Sequence, residues 1–218
     1  MCSSPPQIIV LGPPGAGKGT QAARIAKRLG AIRVSTGELL REWTHTDPVG
    51  SREIAATLAA GELVPDEVVD PLVRELLETL PAEQGFILDG YPRSPAQAER
   101  LRSVLAELGR LDRRPLLVWL EAPRDELLRR LRRRAQLEGR ADDTETAMER
   151  RLDLHDAQAS TVRAALDRWT DTRRVDGARP ACAVTQEILD SLCARTAPAR
   201  PQPPVAASGR RGSRASAA

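Results

Sequence analysis

A glycine-rich segment directly follows the first apolar run of the chain, and it limits the fold more than any other feature. Residues 7–11 (QIIVL) have the pattern of a buried strand, and residues 12–20 (GPPGAGKGT) follow without a break. Glycines let successive backbone N–H groups turn inward around an anion, and a following helix adds the positive end of its dipole. Residues 21–29, closed by Gly30, have the amphipathic pattern of that helix. The sequence therefore predicts a strand, a phosphate-binding loop and a helix in this order.

The end of this loop departs from the usual Gly-x-x-x-x-Gly-Lys-Ser/Thr pattern. Gly19 stands where a magnesium-binding hydroxyl is expected, and Thr20 comes one residue later. The ending GKGTQ, residues 17–21, resembles the loop of nucleoside monophosphate kinases, and of the adenylate kinase family in particular. The resemblance implies that the loop holds the phosphates of ATP through Gly15, Ala16, Gly17, Lys18, Gly19 and Thr20.

Composition indicates a globular protein with an appended segment. Of 218 residues, 41% are hydrophobic, which is enough for one domain with a proper core. No run approaches the roughly 18 apolar residues of a membrane span, and residues 1–6 lack the order of a secretory signal, so we expect a cytoplasmic protein without a membrane partner. The three cysteines show no Cys-x-x-Cys spacing, so neither a disulfide framework nor zinc is expected.

The basic residues are unevenly distributed. Four arginines and no acid lie in residues 196–218, so residues 1–195 are close to neutral, and no nucleic acid is expected to bind the folded domain. Residues 196–218 are rich in Pro, Ala and Arg and contain no aromatic residue, a composition that predicts a disordered tail. The tail is either a solvated extension or a weak binder of RNA or of an acidic partner.

Apolar runs alternate with helical patterns along the chain. The runs at 8–11, 31–34, 85–88, 115–120 and 173–175 predict strands, and 94–108, 124–137 and 144–169 predict helices. Such alternation indicates an α/β fold with a parallel sheet, in which ligands bind beyond the carboxyl ends of the strands. Functional residues should therefore cluster at the edge that carries the glycine-rich loop.

Two segments after the second strand extend the resemblance. Residues 35–41 (STGELLR) resemble the first half of the monophosphate site, which implies that Thr36 contacts the AMP base and Arg41 the AMP phosphate. Residues 61–66 (GELVPD) resemble the turn whose backbone meets the monophosphate, through Glu62, Leu63 and Val64. The helical stretch within 35–64 is then a flap that closes over AMP.

The segment GFILDGYPR, residues 85–93, gives the strongest second signal. An apolar strand delivers Asp89 at its end, where a carboxylate can hold magnesium, most plausibly through water. By resemblance, Arg93 binds the acceptor phosphate and Gln97 reads the adenine edge. The pocket residues implied between them are Gly90, Tyr91 and Pro92.

An arginine-dense region follows the fourth predicted strand. Arg129, Arg132 and Arg133 are interpreted as a solvated helix face, whereas Arg130 and Arg134, four residues apart, resemble the arginines that cover the ATP adenine and its phosphates. The resemblance further implies that Arg140 and Arg151 clamp the transferred phosphoryl group, touching the AMP side, and that Asp142 and Asp143 support the lid. Few residues separate Arg134 from Arg140, which indicates a short lid, 134–143, without the zinc of longer lids.

Taken together, the resemblance implies a fold like that of P-loop nucleoside triphosphate hydrolases, with a parallel five-stranded sheet and helices on both faces. Residues 1–195 are expected to form one kinase domain that converts ATP and AMP to two ADP with Mg²⁺, as a monomer. Two alternatives remain: a pyrimidine (UMP/CMP) monophosphate kinase and a catalytically silent nucleotide-binding regulatory protein. Thr36 and Gln97 disfavour the first, because pyrimidine-specific relatives typically carry a small apolar residue and an asparagine there; the intact arginine set disfavours the second.

Three further expectations concern residues outside the main motifs. His45 and His155 are interpreted as surface or helix-face residues without a role in catalysis. Residues 175–177 (VDG) resemble the turn that touches the ATP base, but residues 178–180 fit that pattern poorly.

Overall fold

A computed structural model describes residues 5–47, 49, 51–138 and 144–196. Three predicted site residues, Arg140, Asp142 and Asp143, lie outside this part of the chain, as does the predicted tail from residue 197 onward. The elements, in chain order, are β1 Gln7–Leu11, α1 Lys18–Leu29, β2 Ile32–Ser35, α2 Thr36–Thr46, α3 Arg52–Ala59, α4 Asp66–Thr79, β3 Phe86–Asp89, α5 Pro95–Glu107, β4 Leu116–Glu121, α6 Arg124–Glu138, α7 Glu145–Asp167, β5 Asp171–Asp176 and α8 Ala181–Thr196.

The five strands form one parallel sheet in the order β2-β3-β1-β4-β5. Central strands β1, β3 and β4 are buried almost throughout, as their continuous apolar runs require when both faces of a parallel sheet are covered. The prediction of a five-stranded α/β fold is therefore confirmed. Only β5 differs appreciably in length: it runs from Asp171 to Asp176 rather than over 173–175, because its added residues are polar and carry no apolar pattern.

Alternation along β1 shows how the two faces are filled. Ile8 and Val10 pack with Ile25 of α1 in a core that also receives α6 and α8. Ile9 and Leu11 point to the opposite face, where α4, α5, α7 and the α2–α3 region pack. Both faces are thus closed, and only the strand ends are left to form a ligand site.

Helix boundaries follow local signals in most cases. Ser94 caps α5 by accepting a hydrogen bond from the backbone N–H of Gln97, and Thr144 caps α7 through the N–H of Ala147. Helix α1 begins at Lys18, three residues before the predicted start, so Lys18 itself lies in its first turn. Helix α8 includes Thr196, the first residue of the predicted tail. Arg134, the first residue of the predicted lid, lies within α6, as expected from the helix predicted over 124–137.

Candidate active site

A cleft of about 810 Å³ opens at the carboxyl edge of the sheet. It is bounded by the glycine-rich loop, the start of α2, the turn before α4, the end of β3, and helices α6 and α7. The predicted site residues that line it are Gly15, Ala16, Gly17, Lys18, Gly19, Thr20, Arg41, Glu62, Leu63, Val64, Asp89, Gly90, Tyr91, Pro92, Arg93, Gln97, Arg130, Arg134 and Arg151. Residues separated by more than a hundred positions in sequence thus share one cavity.

The glycine-rich loop is closed by contacts that only glycine permits. Gly15 has a φ of +83°, and a Cβ there would lie 2.7 Å from the carbonyl oxygen of Leu127. Lys18 turns back over the loop, and its Nζ donates hydrogen bonds to the carbonyl oxygens of Gly12 at 2.8 Å and Pro13 at 2.9 Å. Burial lowers the pKa of Lys18 to about 7 against the attraction of Asp89, and the charges of Arg93 and Arg134 lower it further.

On the α6 side, the turn after β5 closes the cleft. Arg130 donates through Nη1 to the carbonyl oxygen of Gly177 at 2.7 Å and through Nε to Glu126 at 2.6 Å. A Cβ on Gly177 would lie 2.6 Å from the carbonyl oxygen of Ala16, so the turn packs directly on the loop. The segment 175–177 therefore adjoins the phosphate-binding loop and Arg130, although Ala178 contributes only a carbonyl oxygen to Arg130 at 3.2 Å.

Arginines converge on the other end of the cleft. Arg93 lines the cleft, and its Nε donates to the carbonyl oxygen of Gly90 at 2.8 Å. Desolvation of its guanidinium lowers the pKa of Arg93, and repulsion from Arg151 and Arg41 adds to the effect, while Asp89 opposes it. Arg151 also donates to the carbonyl oxygen of Leu58 at 2.9 Å, which joins α7 to the α3 segment. Such a concentration of positive charge favours binding of an anion.

Gln97 is held at both ends of its amide. Its Oε1 accepts from the backbone N–H of Arg93 at 2.7 Å, and its Nε2 donates to Asp66 Oδ1 at 2.8 Å. Ser94 Oγ donates to the second oxygen of Asp66 at 2.7 Å. These contacts fix the orientation of the Gln97 amide before any ligand binds. The second N–H of the same amide is thereby oriented as well.

Thr36 is placed differently from the other predicted contacts. Its side chain is buried and does not line the cleft, and its Oγ1 lies 3.5 Å from the carbonyl oxygen of Gly90. Its predicted contact with the AMP base stays a prediction.

A group of polar side chains supports the cleft wall at Tyr91 on the side away from the cavity. Tyr91 donates its hydroxyl to Asp70 Oδ1 at 2.7 Å, and Arg100 pairs with the other carboxylate oxygen at 2.8 Å. Burial raises the pKa of Tyr91, and the bond to Asp70 raises it further. This group ties the turn after β3 to helices α4 and α5, and sequence reasoning did not identify it.

Asp89 ends β3 beside the glycine-rich loop and is only 7% exposed. Arg33 of β2 donates to its Oδ2 from Nη2 at 2.7 Å and from Nε at 3.2 Å, and the same Nη2 lies 2.8 Å from Glu38 Oε1. Asp89 and Glu38 both lie within reach of the Arg33 guanidinium. Their carboxylate oxygens are hard donors, the type of ligand that suits magnesium. Within residues 5–47, 49, 51–138 and 144–196, no three His, Cys, Asp or Glu side chains gather into a metal-binding group.

The structure places His155 on the face of α7 that borders the cleft. It lies half-buried on the cleft side of α7, and its ring centroid is 5.9 Å from that of Trp119. Burial lowers its pKa to about 4, and the charges of Lys18 and Arg93 contribute, so the imidazole is neutral at pH 7. Its proximity to Trp119 carries no local sequence signal, because β4 and α7 meet only in the folded chain.

The predicted solvated arginines behave as expected in two of three cases. Arg129 and Arg132 are exposed and pair with Glu126 and Glu145. Arg133 is exposed but also lines the cleft. In the part of the chain that the structure describes, no helix has the length and apolar character needed to cross a membrane.

Comparison with known proteins identifies the family. A family model described as adenylate kinase matches residues 10–169. Over 187 residues the chain is 41% identical to an adenylate kinase of Micrococcus luteus, covering 85% of this chain and 90% of that protein. It is 42% identical to one of Kocuria rhizophila, covering 85% and 98%, and 43% identical to one of Thermus thermophilus, covering 78% and 88%. With matches of this extent, which include the glycine-rich loop and the arginine-bearing helices, the chain belongs to the adenylate kinase family.

Proposed function

We propose that this protein catalyses reversible transfer of the γ-phosphoryl group from ATP to AMP, giving two ADP, with Mg²⁺. The observation that carries the proposal is one cleft with a phosphate-binding loop at one end and three converging arginines at the other. Family membership supports it, since the relatives that match most of the chain are adenylate kinases.

The donor phosphates are proposed to bind at the glycine-rich loop. Its backbone N–H groups and the N-terminus of α1 favour an anion there, and Lys18 can exchange the carbonyl oxygens of Gly12 and Pro13 for phosphate oxygens. Phosphate charge would also restore the ammonium form of Lys18. Arg130 and the turn at Gly177 are proposed to bound the ATP base, with Arg134 toward the phosphates.

The acceptor is proposed to bind between the flap and α5. Arg41 and Arg93 hold the AMP phosphate, residues 62–64 and 90–92 line its pocket, and Gln97 presents its fixed amide to the base. Transfer is in line and needs no covalent intermediate, so positioning and charge neutralisation carry the rate. Arg134 and Arg151, together with Arg140, which lies outside the described residues, are proposed to neutralise the transferred group, with Asp142 and Asp143 supporting the lid.

Asp89, with Glu38 beside it, is proposed to hold Mg²⁺ through water. The bound ion would neutralise phosphate charge and orient the donor. Zinc has no proposed role, and monomeric state and cytoplasmic location stay predictions.

Closure of the flap, 35–64, and of the short lid, 134–143, is proposed to exclude water as a rival acceptor. In this structure, contacts couple the flap to α7: Arg150 pairs with Glu62 at 2.8 Å, and Arg151 donates to the carbonyl oxygen of Leu58 at 2.9 Å.

The test is chromatographic. Purified protein with Mg·ATP and AMP is expected to form two ADP for each ATP consumed. Lys18→Ala should abolish this, whereas Lys27→Ala, which changes the only other lysine, on the exposed face of α1, should not. Absence of ADP formation by the wild-type protein would refute the proposal, and equal activity of Lys18→Ala would refute the donor site.

A further inference from the structure

Arg33 lies outside the motifs at residues 35–41 and 85–93. It nevertheless contacts Asp89 and Glu38, the two carboxylates proposed to hold magnesium. In the sheet, Arg33 pairs with Ile87 and Ser35 with Asp89, so Arg33 and Asp89 are diagonal neighbours on one face of adjacent strands. A long side chain can span that diagonal, and one Nη2 atom reaches Asp89 Oδ2 at 2.7 Å and Glu38 Oε1 at 2.8 Å.

The environment of Asp89 explains why a cation belongs there. The Asp89 side chain is 8% exposed, whereas Glu38 is 54% exposed and can be solvated. A carboxylate so withdrawn from water is costly unless it is paired. A guanidinium stays charged at all physiological pH values, so Arg33 neutralises Asp89 while the cleft is empty.

Gly19 leaves the space that this pair needs. A Cβ at Gly19 would lie 3.2 Å from Arg33 Nη2 and 3.3 Å from Asp89 Oδ2. A side chain at this position would require the Arg33–Asp89 pair to shift by a few tenths of an ångström.

We propose that Arg33 is a built-in cation that holds Asp89 and Glu38 in the empty enzyme and competes with Mg²⁺ for them when nucleotide binds. The inference rests on the proposed function, because it assumes that magnesium enters with ATP. A hydrated divalent ion and a guanidinium repel each other at one carboxylate oxygen, so Arg33 must withdraw from Asp89 as the ion arrives. Arg33 thus sets how much magnesium strengthens ATP binding.

The experiment measures ATP affinity by calorimetry without any acceptor, once in excess EDTA and once in excess MgCl₂. The dissociation constant in EDTA divided by that in MgCl₂ measures how much magnesium strengthens ATP binding. Arg33→Gln is expected to raise this ratio by at least about tenfold, because the competing charge is gone and, without metal, nothing replaces it. The control is Arg74→Gln: Arg74 likewise bridges two carboxylates, of Glu78 and Glu107, but lies away from the cleft, and its ratio should not change.

An unchanged ratio in Arg33→Gln would overturn the inference. So would equal weakening of ATP binding under both conditions, since this would make Arg33 a plain phosphate ligand. If Arg33→Gln does not fold, Arg33→Lys is used instead. An ammonium lacks the planar fork of the guanidinium, so the ratio should rise by about threefold. A ratio equal to that of the wild type would contradict the inference. A wild-type protein that makes no ADP would instead refute the proposed function.

Discussion

The two ends of the cleft are stabilised over very different sequence distances. At the donor end, Lys18 is held by carbonyl oxygens of Gly12 and Pro13, six and five residues away. At the acceptor end, Gln97 is held by Asp66, 31 residues earlier, and Tyr91 by Asp70, 21 residues earlier. The Lys18 ammonium is thus held within its own loop, whereas the Gln97 amide and the Tyr91 hydroxyl depend on side chains that α4 brings to the turn after β3. Variants should therefore affect the two substrates separately.

The largest effect is expected for Lys18. Lys18→Ala should lower turnover by at least about a hundredfold, the usual scale for loss of a preorganised charge. Lys18→Arg should fail as well, because a planar fork cannot replace a compact ammonium over the loop. Steady-state kinetics with Mg·ATP and AMP measures both, and near-normal turnover in either variant would contradict the local account of the donor end.

Arg93→Ala should be almost as damaging, but through the acceptor. We expect turnover to fall by about a hundredfold and the KM for AMP to rise more than the KM for ATP. Arg102→Ala is the control, since Arg102 is an exposed arginine of α5 with only a 3.8 Å contact to Glu99. Equal changes in the KM values for AMP and ATP would show that Arg93 does not act on the acceptor alone.

Asp66→Asn tests the long-range support directly. An amide cannot accept from both Gln97 and Ser94 as the carboxylate does, so Gln97 loses its fixed orientation. The KM for AMP should rise by about tenfold, while calorimetry should give an unchanged affinity for ATP. The neighbouring exposed Glu67→Gln should alter neither value. Loss of ATP affinity in Asp66→Asn would show that the donor and acceptor ends are not supported independently.

Tyr91→Phe probes the support without touching substrate chemistry. Removal of the hydroxyl takes one hydrogen bond from Asp70, which keeps Arg100, so urea unfolding should show a loss of about 1 kcal/mol. Kinetic constants should change little. A loss near zero would mean that this buried bond does not stabilise the wall.

The last expected effect is a pH dependence of stability at the donor end. Because the pKa of Lys18 is about 7 when folded and 10.5 in the unfolded reference, the unfolded chain binds more protons between these values. The penalty for burying the ammonium is fully present below pH 7 and is lost as pH rises toward 10.5, so stability from this group increases with pH. Relative to Lys18→Met, the wild-type free energy of unfolding should rise between about pH 7 and pH 10.5, by at most about 1.4 kcal/mol per pH unit. A flat or falling difference would contradict the lowered pKa.

The same contrast explains what the sequence could predict. The loop, β1, β3 and the carboxyl-edge position of Asp89 follow from local patterns, and the structure has them within a few residues. The partners of the acceptor end, Asp66 for Gln97 and Asp70 for Tyr91, are ordinary helix residues in sequence and become partners only when α4 packs beside α5. The contacts of Arg33 and His155 could not be predicted from the sequence for a similar reason. Arg33 lies in a strand without a motif, and the ring partner of His155 is on another element.

The most direct test of the account is acceptor choice in a single tube. Wild-type protein is given Mg·ATP and equal concentrations of AMP, CMP, UMP and GMP, and the diphosphates are separated by chromatography. The account predicts that ADP forms from AMP and that CDP, UDP and GDP stay near the background of a reaction with Lys18→Ala. Preferential formation of CDP or UDP would contradict it, since a fixed Gln97 amide would then not select adenine.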